Sequence, residues 1–340
     1  MKKGCARALR GVAVWALLSG MAGAAGDEAA TSRAGSGQVA CAVGFRGTVL
    51  WTTDGGQTWT KKNTGVTVNL QDVDLLDEKT AVIVGENGTV VRTSDGGRTW
   101  RSQKLLGGSL EGTPIVLLDV DFASPRTVWA SGYYNGYYIS KGCLFKSSDG
   151  GQRWSLRLKT PINSPPLTVD FADATHGFFG GGFDMGRTVN GGQSWVLQHW
   201  NAGYIFGMSF VDAQRGWASG VDGSLWWTTD GAQSWNVLPQ TGPIRLSVRM
   251  WGVSMVDAEA AFGVGEAGAF VSAIGPPSSP STYVSLIQNA PDLHGVHFVD
   301  RQTGWAVGAS GAILKTLDGG RTWTPQASGT SQVLRGIDAF

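Results

Sequence analysis

One eight-residue phrase occurs six times in this chain at a nearly regular spacing, and this repeat constrains the fold more than any other feature. Its first copy reads Thr-Thr-Asp-Gly-Gly-Gln-Thr-Trp, at residues 52–59. The third positions of successive copies are 41, 54, 41, 40 and 88 residues apart, so the last interval is about twice the others. Repeats of this length are typical of propellers and solenoids. We therefore predict a repeat protein with a seventh, degenerate copy inside the last interval.

Each repeat predicts four short β-strands. In the second unit, alternating apolar and polar residues at 70–75, 81–85 and 89–93 precede the phrase, and a fourth strand follows it. Short alternating runs that are bounded by Gly and Asp are typical of strands. In the degenerate unit, residues 275–280 replace the phrase as a turn between predicted strands at 269–274 and 282–287.

The two ends of the chain predict how the ring closes. The first unit begins at residue 39 with what is already a second strand, and residues 334–340 match the first strand that this unit lacks. Pairing the two ends would complete one blade and leave no open sheet edge there. We therefore predict an all-β, seven-bladed β-propeller of four-stranded antiparallel blades over residues 38–340, closed by a C-terminal strand that completes blade one.

The repeated phrase is predicted to be a structural turn. A carboxylate or amide at its third position can accept backbone N–H bonds, and its glycines permit positive φ. The final tryptophan supplies a large apolar ring for packing. Because each carboxylate belongs to a separate blade, the set cannot converge on one substrate or metal ion. The third positions are Asp54, Asp95, Asp149, Asn190, Asp230 and Asp318, and the final positions are Trp59, Trp100, Trp154, Trp195, Trp235 and Trp323.

The N-terminal segment predicts export. Residues 1–25 have the layout of a cleaved signal peptide, with basic residues, then an apolar run, then small residues, and residues 26–37 are a small and polar leader. Removing residues 1–25 takes away four of 27 basic residues and none of 26 acidic residues, which leaves a formal charge of −3. We expect a periplasmic protein, peripheral to a membrane, and this charge argues against nucleic acid as a partner.

The cysteines and histidines predict neither a metal site nor a cofactor. Cys41 and Cys143 belong to non-adjacent units, so two buried free thiols are favoured over a disulfide. Four histidines form no set with metal-ligand spacing. His294 and His297 are three residues apart on a predicted strand and are therefore expected to face opposite sides of it.

These motifs resemble known families. The phrase looks like the Asp-box, or bacterial neuraminidase repeat, of sialidases, sortilin-type receptors and some glycoside hydrolases. The fuller unit at residues 296–311, Val-x-Phe-Val-Asp-x-x-x-Gly-Trp-Ala-x-Gly-x-x-Gly, more closely resembles the photosystem II stability and assembly factor family and its bacterial relatives. The resemblance covers nearly all of residues 39–340. It implies a propeller that assists the assembly or stability of a membrane complex.

A sialidase would need further residues that are missing from this pattern. Sialidases carry three convergent arginines, the first in a Phe/Tyr-Arg-Ile-Pro motif, together with a tyrosine nucleophile beside a glutamate and an aspartate acid. Here Arg46 lies in Gly-Phe-Arg-Gly-Thr, without Ile-Pro, and aligns with a turn residue, Asn87, of the second unit. None of the six glutamates after residue 25 flanks a tyrosine in a suitable strand. We therefore expect a non-catalytic protein, with a carbohydrate-active enzyme or glycan-binding module as the alternative.

The face opposite the Asp-box turns carries the candidate binding residues. An insertion in unit three holds four tyrosines, and the linker into unit six and two later strand starts add arginine, tryptophan and histidine. Arginine with aromatic residues is typical of interaction hot spots. Alternatively, the tyrosines pack on a neighbouring loop and the charges are simply solvated. These residues are Tyr133, Tyr134, Tyr137, Tyr138, Arg245, Arg249, Trp251, His294 and Arg335. The expected partner is an envelope or inner-membrane protein complex, such as a transporter, and a glycan is the alternative partner.

One polar column recurs at an equivalent position of the predicted innermost strands. Such residues either ring the central channel with acid or bond backbone groups between blades, and we favour the structural role. The column consists of Asp74, Asp121, Asp170, Ser209, Ser254, His297 and Asp338.

Overall fold

The protein is a seven-bladed β-propeller. The computed structural model describes residues 38–134, 141–162, 165–200, 203–238 and 246–340. Within these ranges, seven four-stranded antiparallel sheets surround a central channel, and one short two-stranded ribbon lies between blades two and three. The predicted fold class is therefore confirmed.

The strands are numbered in chain order. Blade one contains β1 (Ala40–Gly44), β2 (Thr48–Thr52) and β3 (Thr60–Lys61), and blade two contains β4 (Leu70–Leu75), β5 (Ala81–Gly85), β6 (Thr89–Thr93) and β7 (Arg101–Lys104). The ribbon is β8 (Ser109–Leu110) and β9 (Thr113–Pro114), and blade three contains β10 (Val116–Phe122), β11 (Val128–Tyr134), β12 (Lys141–Ser147) and β13 (Ser155–Ile162). Blade four contains β14 (Pro166–Phe171), β15 (Gly177–Gly181), β16 (Asp184–Thr188) and β17 (Val196–His199), and blade five contains β18 (Ile205–Phe210), β19 (Gly216–Gly220), β20 (Leu225–Thr228) and β21 (Asn236–Val237). Blade six contains β22 (Met250–Asp257), β23 (Ala260–Gly265), β24 (Ala269–Ile274) and β25 (Ser281–Leu286), and blade seven contains β26 (Leu293–Phe298), β27 (Gly304–Gly308), β28 (Ile313–Thr316) and β29 (Thr324–Pro325). The last strand is β30 (Leu334–Ala339).

The last strand closes the ring. In blade one the strand order is β3-β2-β1-β30, so the C-terminus supplies the innermost strand. Ala42 pairs with Ile337 and Ala40 pairs with Ala339. Leu334 is fully buried in the core that blade one shares with blade seven. The predicted closure is confirmed.

Blade six is the predicted degenerate unit. It keeps all four strands, and a turn in which the Ser279 N–H donates to the Pro276 carbonyl at 2.9 Å replaces the Asp-box. Its outer strand, β25, spans 281–286, one residue earlier than predicted. Proline is tolerated there because the turn lies outside the hydrogen-bonded ladder.

The Asp-box turns hold themselves together as predicted. In blade one, Asp54 Oδ1 accepts the Thr58 N–H at 2.9 Å and Asp54 Oδ2 accepts the Thr58 hydroxyl at 2.6 Å. The Thr52 hydroxyl donates to Asp54 and accepts the Gly56 N–H at 2.9 Å. The bonds from Thr58 lower the pKa of Asp54 to about 2. In blade four, Asn190 makes the equivalent bonds, and its amide nitrogen donates to the Ser194 hydroxyl.

The second glycine and the tryptophan of the blade-four box also pack neighbouring blades together. Gly192 has φ +75°, and a Cβ there would lie 2.2 Å from the ring of Trp129 in the preceding blade. The box residue Trp195 meets Trp129 edge-on, with ring centroids 5.7 Å apart, and Phe171 at 6.0 Å. The phrase therefore serves both turn formation and contact between neighbouring blades.

Two further features are the cysteines and the absence of a long apolar helix from the described residues. Cys41 and Cys143 are both buried and free, as favoured, and burial raises the pKa of the Cys143 thiol to about 12. Across the described ranges, we find no helix whose length and apolar character would let it cross a bilayer.

Candidate functional site

A β-bulge near the start of each innermost strand shapes the channel opening. In each blade the pairing of the innermost strand with its neighbour skips one residue at this point. A bulge turns the unpaired side chain in a new direction. The seven unpaired residues line one end of the channel, and we call them the mouth ring: Gln71, Leu118, Leu167, Phe206, Trp251, His294 and Arg335.

The mouth ring lies on the face that was predicted to bind a partner. We call it the upper face; it carries the turns between second and third strands and the links between blades, whereas the Asp-box turns lie on the lower face. Three of the predicted residues, Trp251, His294 and Arg335, occupy adjacent positions of the ring. Arg249 lies two residues before Trp251, in the link that leads into β22.

One glycine per blade makes the bulge sterically feasible. In each blade, a Cβ on one glycine at or near the end of the second strand would lie only 1.8–2.4 Å from a backbone carbonyl oxygen at the start of the innermost strand or just before it. In blade seven this oxygen belongs to Asp292, and it accepts the Ala309 N–H at 2.9 Å. No side chain larger than hydrogen fits so close to a carbonyl. The glycines are Gly44, Gly85, Gly132, Gly181, Gly220, Gly265 and Gly308.

The bulge overturns the prediction that His294 and His297 face opposite sides of their strand. Pairing shifts between Leu293 and Gly295, so alternation is interrupted at His294. Both histidines line the channel, His294 at the mouth and His297 deeper inside. His297 Nδ1 lies 2.7 Å from Asp338 Oδ1, which ties blade seven to blade one.

The polar column below the mouth has the favoured structural role. Asp74 accepts the Phe122 N–H of the next blade at 2.7 Å, and Asp170 accepts the Phe210 N–H at 2.6 Å. Asp121, Ser209, Ser254 and Asp338 make the same kind of bond to the blade that follows each of them. The channel carboxylates therefore join the innermost strands of neighbouring blades.

Two further carboxylates, Asp72 and Asp119, lie just below the mouth ring. Asp72 accepts the Val120 N–H at 3.1 Å, and Asp119 accepts the Val169 N–H at 2.8 Å. The pKa of Asp72 is raised well above its ordinary value, chiefly by burial and then by the charge of Asp119. Across the described residues, no group of three or more His, Cys, Asp or Glu side chains is arranged to hold a metal ion.

Among the described residues, one cation and several polar atoms of the mouth ring have no ion-pair or hydrogen-bond partner. Arg335 is half-buried, with its guanidinium 5.3 Å from the ring centre of Phe45, and it makes no ion pair with a described residue. Trp251 Nε1, His294 Nδ1 and Arg335 Nε are buried without a hydrogen-bond partner among the described residues. Burial and then the Arg335 charge lower the pKa of His294 to about 4. At neutral pH, His294 is therefore uncharged, and Arg335 carries the positive charge of the ring.

Arg249 is partly neutralised by a neighbour. Its guanidinium donates to Glu266 Oε1 at 3.0 Å and lies 5.6 Å from the ring centre of Trp251. The second Glu266 oxygen accepts the Arg249 N–H at 3.0 Å. The arrangement orients the indole ring of Trp251 at the mouth and leaves Arg335 as the less compensated charge.

A row of aromatic rings leads from the mouth toward blade four. Successive ring centres are 5.8 Å apart from Phe183 to Tyr204, 6.2 Å from Tyr204 to Phe206, and 4.6 Å from Phe206 to Trp251. His294 continues the row at 5.9 Å from Trp251. Phe183 and Tyr204 are 43% and 41% exposed. We call these five rings the aromatic row.

Sequence reasoning missed three members of this row. Phe206 stands at the same strand position as Trp251, which was selected, and Tyr204 lies two residues before it. Comparing the seven innermost strand starts with one another would have found Phe206. Phe183 lies between β15 and β16 and has no such signal, because its contact with Tyr204 is visible only in the fold.

The tyrosine-rich insertion is only partly described. Tyr133 is half-buried, whereas Tyr134 is 1% exposed and its hydroxyl lies 3.4 Å from Glu111. Tyr134 therefore packs locally and is not available to a partner. Tyr137 and Tyr138 lie outside the described residues, and so does Arg245.

Three carboxylates on the upper face are engaged in local structure. Glu266 binds Arg249, Asp292 accepts the Ala267 N–H at 2.8 Å, and Glu86 accepts from the Asn69 amide at 2.9 Å. Hydrolysis of a glycoside requires two carboxyl groups that flank one bond of the substrate. These three carboxylates instead hold the turns and links of their own blades.

Comparison with known proteins agrees with this architecture. Residues 37–156 match the model of a family described as photosynthesis system II assembly factor YCF48. The chain is a seven-bladed Asp-box propeller that resembles the photosystem II assembly factors. The resemblance inferred from the sequence is therefore confirmed. No curated protein matches the sequence.

Solved structures with the same fold include YCF48 from Cyanidioschyzon merolae, which is 19% identical with a TM-score of 0.58, over 77% of this chain and 86% of that chain. A structure described as YCF48 bound to D1 peptide is 18% identical with a TM-score of 0.57, over 75% and 81% of the two chains. A structure described as U3-55K is 10% identical with a TM-score of 0.57, over 76% of this chain and 80% of that chain. These likenesses establish the shared propeller fold.

Proposed function

We propose that this protein is an exported, non-catalytic propeller scaffold that binds a protein complex of the cell envelope or inner membrane and acts as an assembly or stability factor. The observation that carries the proposal is the mouth ring, where Arg335 has no ion-pair partner among the described residues and the aromatic row leads outward to the exposed rings of Tyr204 and Phe183. The resemblance to assembly factors supports it, as does a relative of the same fold that has a bound peptide.

The chemistry of the mouth indicates what a client segment would offer. Arg335 can pair with an acidic side chain or a terminal carboxylate of a client, because no described carboxylate pairs with it. The aromatic row offers apolar surface from Trp251 out to Phe183, so the client segment would lie along the row in an extended form. Rigid aromatic side chains bind at a low cost in conformational entropy. An acidic segment with apolar residues beside it fits this surface.

A glycan is the competing ligand for the same surface. Exposed aromatic rings such as Tyr204 would accommodate a sugar face, and this keeps a glycan-binding module as the second candidate. A neutral glycan would not use the charge of Arg335. Charge reversal at that residue therefore separates the two candidates.

Reversing the charge of Arg335 tests the proposal. We expect Arg335→Glu to reduce recovery of the client at least tenfold in crosslinked, mild-detergent extracts of cells that express a tagged copy, because hot-spot residues contribute about 2 kcal/mol or more. Arg126→Glu is the matched control, since Arg126 is exposed in a turn on the lower face. Equal melting temperatures would show that both variants fold. Equal client recovery from both variants would exclude the mouth ring as the binding surface.

A further inference from the structure

The outer strand of blade six lacks the protection that the other outer strands have. β25 is six residues long, pairs with β24 along its whole length and contains no charged residue. The outer strands of blades one, five and seven are only two residues long, and the outer strand of blade four has four residues. The longer outer strands of blades two and three contain lysine and arginine. Short length and charge are the usual devices that keep sheet edges from pairing with another chain.

The backbone of β25 directs hydrogen-bonding groups away from the propeller. The Ile287 N–H donates to the Gly268 carbonyl at 2.8 Å, just beyond the last paired residues of the two strands. Along an antiparallel strand, the backbone N–H and C=O groups of successive residues point alternately toward and away from the neighbouring strand. Every second residue counted back from Ile287 therefore bonds to β24, and the residues between them direct their backbone groups outward. The outward-pointing backbone groups belong to Thr282, Val284 and Leu286, at the outer edge of the sheet.

A groove of about 610 Å³ runs beside this edge, toward blade seven. It exists because the neighbouring outer strand, β29, is only two residues long. Its apolar lining includes Tyr283 and Leu286 of blade six and Trp323 of blade seven, and the first two are 43% and 51% exposed. The one charged side chain in the lining is Arg321, which is exposed and makes no ion pair with a described residue.

We propose that β25 is a docking site for an extended strand of another protein, which adds to blade six as a fifth strand. The outward N–H and C=O groups can form a continuous hydrogen-bond ladder with another strand, as in β-augmentation. Alternate side chains of that strand would enter the groove, which selects apolar residues. Arg321 selects an acidic residue at the rim. This surface lies on the outer wall of the ring and is independent of the mouth ring.

The test uses a labelled peptide, Thr-Val-Thr-Val-Asp-Val-Thr-Val, and an analogue with proline in place of alternate valines. We expect the first peptide to raise fluorescence anisotropy on binding, to slow amide hydrogen exchange across 281–287, and to bind at least tenfold more tightly than its proline analogue. Leu286→Lys should weaken binding at least tenfold, because a charged edge resists pairing. The Arg321→Glu variant should bind a peptide analogue with lysine in place of aspartate more tightly than it binds the first peptide.

Leu197→Lys is the matched control, because Leu197 is 47% exposed in the outer strand of blade four. Its affinity for the peptide should equal that of the native protein. Equal binding of the proline analogue, or unchanged binding by a folded Leu286→Lys variant, would overturn the proposal. A dimer in sedimentation that Leu286→Lys dissociates would also overturn it, since the occupant would then be a second copy of the chain.

Discussion

Deletion of residues 333–340 is expected to unfold the propeller at temperatures where the native protein is stable. The deletion removes β30, and with it the innermost strand of blade one. Leu334 and Ile337 are 0% and 6% exposed, and burial of such side chains contributes about 1.5–3 kcal/mol each. The deletion also removes Asp338, which accepts the Leu75 N–H at 2.7 Å. The combined loss is comparable with the free energy of unfolding of a typical protein, about 5–15 kcal/mol.

Thermal unfolding followed by circular dichroism would measure this effect. A synthetic peptide of residues 331–340, added in excess to the truncated protein, should restore part of the lost melting temperature, because it can re-form the pairing of Ala42 with Ile337. A peptide with Ile337 and Leu334 replaced by aspartate is the matched control and should have no effect. An unchanged melting temperature after truncation would show that β30 does not close the ring.

Replacing Gly308 by alanine is expected to cost about 1–3 kcal/mol, the range for overpacking a tight interior. The new Cβ would lie 2.0 Å from the Asp292 carbonyl oxygen and 2.9 Å from Leu293 Cα, which are backbone atoms and cannot rotate away. The strand must then shift, and the bond from the Ala309 N–H to Asp292 would be lost. Because this bond fixes the bulge at His294, client binding should fall together with stability.

Gly263→Ala provides the control for Gly308→Ala. Gly263 lies in the second strand of blade six, and a Cβ there would come no closer than 3.3 Å, to side-chain ends of Leu225 and Met250 that can adjust. Chemical denaturation should show a small change for this variant and a loss of at least 1 kcal/mol for Gly308→Ala. Equal effects of the two substitutions would show that the glycine at the strand end has no special steric role.

The architecture was predictable because it depends on local patterns that repeat. The alternating strand residues and the Asp-box turns each depend on a short segment of sequence. The same pattern recurs in seven units, so the units support one another's prediction. The closure was predictable by counting strands, because unit one lacks a first strand and residues 334–340 match it. Even the loss of the box in blade six was predictable, since residues 269–274 kept the strand pattern.

The binding surface was less predictable because it depends on an irregularity in the strands and on contacts between blades. Simple alternation placed His294 and His297 on opposite sides, whereas the bulge turns both toward the channel. A glycine follows the bulged residue in four blades, as Gly295 follows His294, and this is the signal that could have indicated it. Burial of Tyr134 and the contact of Phe183 with Tyr204 depend on folding of distant segments, which no local pattern encodes.

The central claim is that a client protein binds at the mouth ring on the upper face. Site-specific photocrosslinking in cells tests it most directly, with a photoreactive phenylalanine derivative at Tyr204, which is 41% exposed in the aromatic row. Val189, 61% exposed on the lower face, is the matched control position. We predict that one envelope or membrane protein is crosslinked from position 204 and not from position 189. Crosslinking of the same protein from position 189, with none from position 204, would contradict the account.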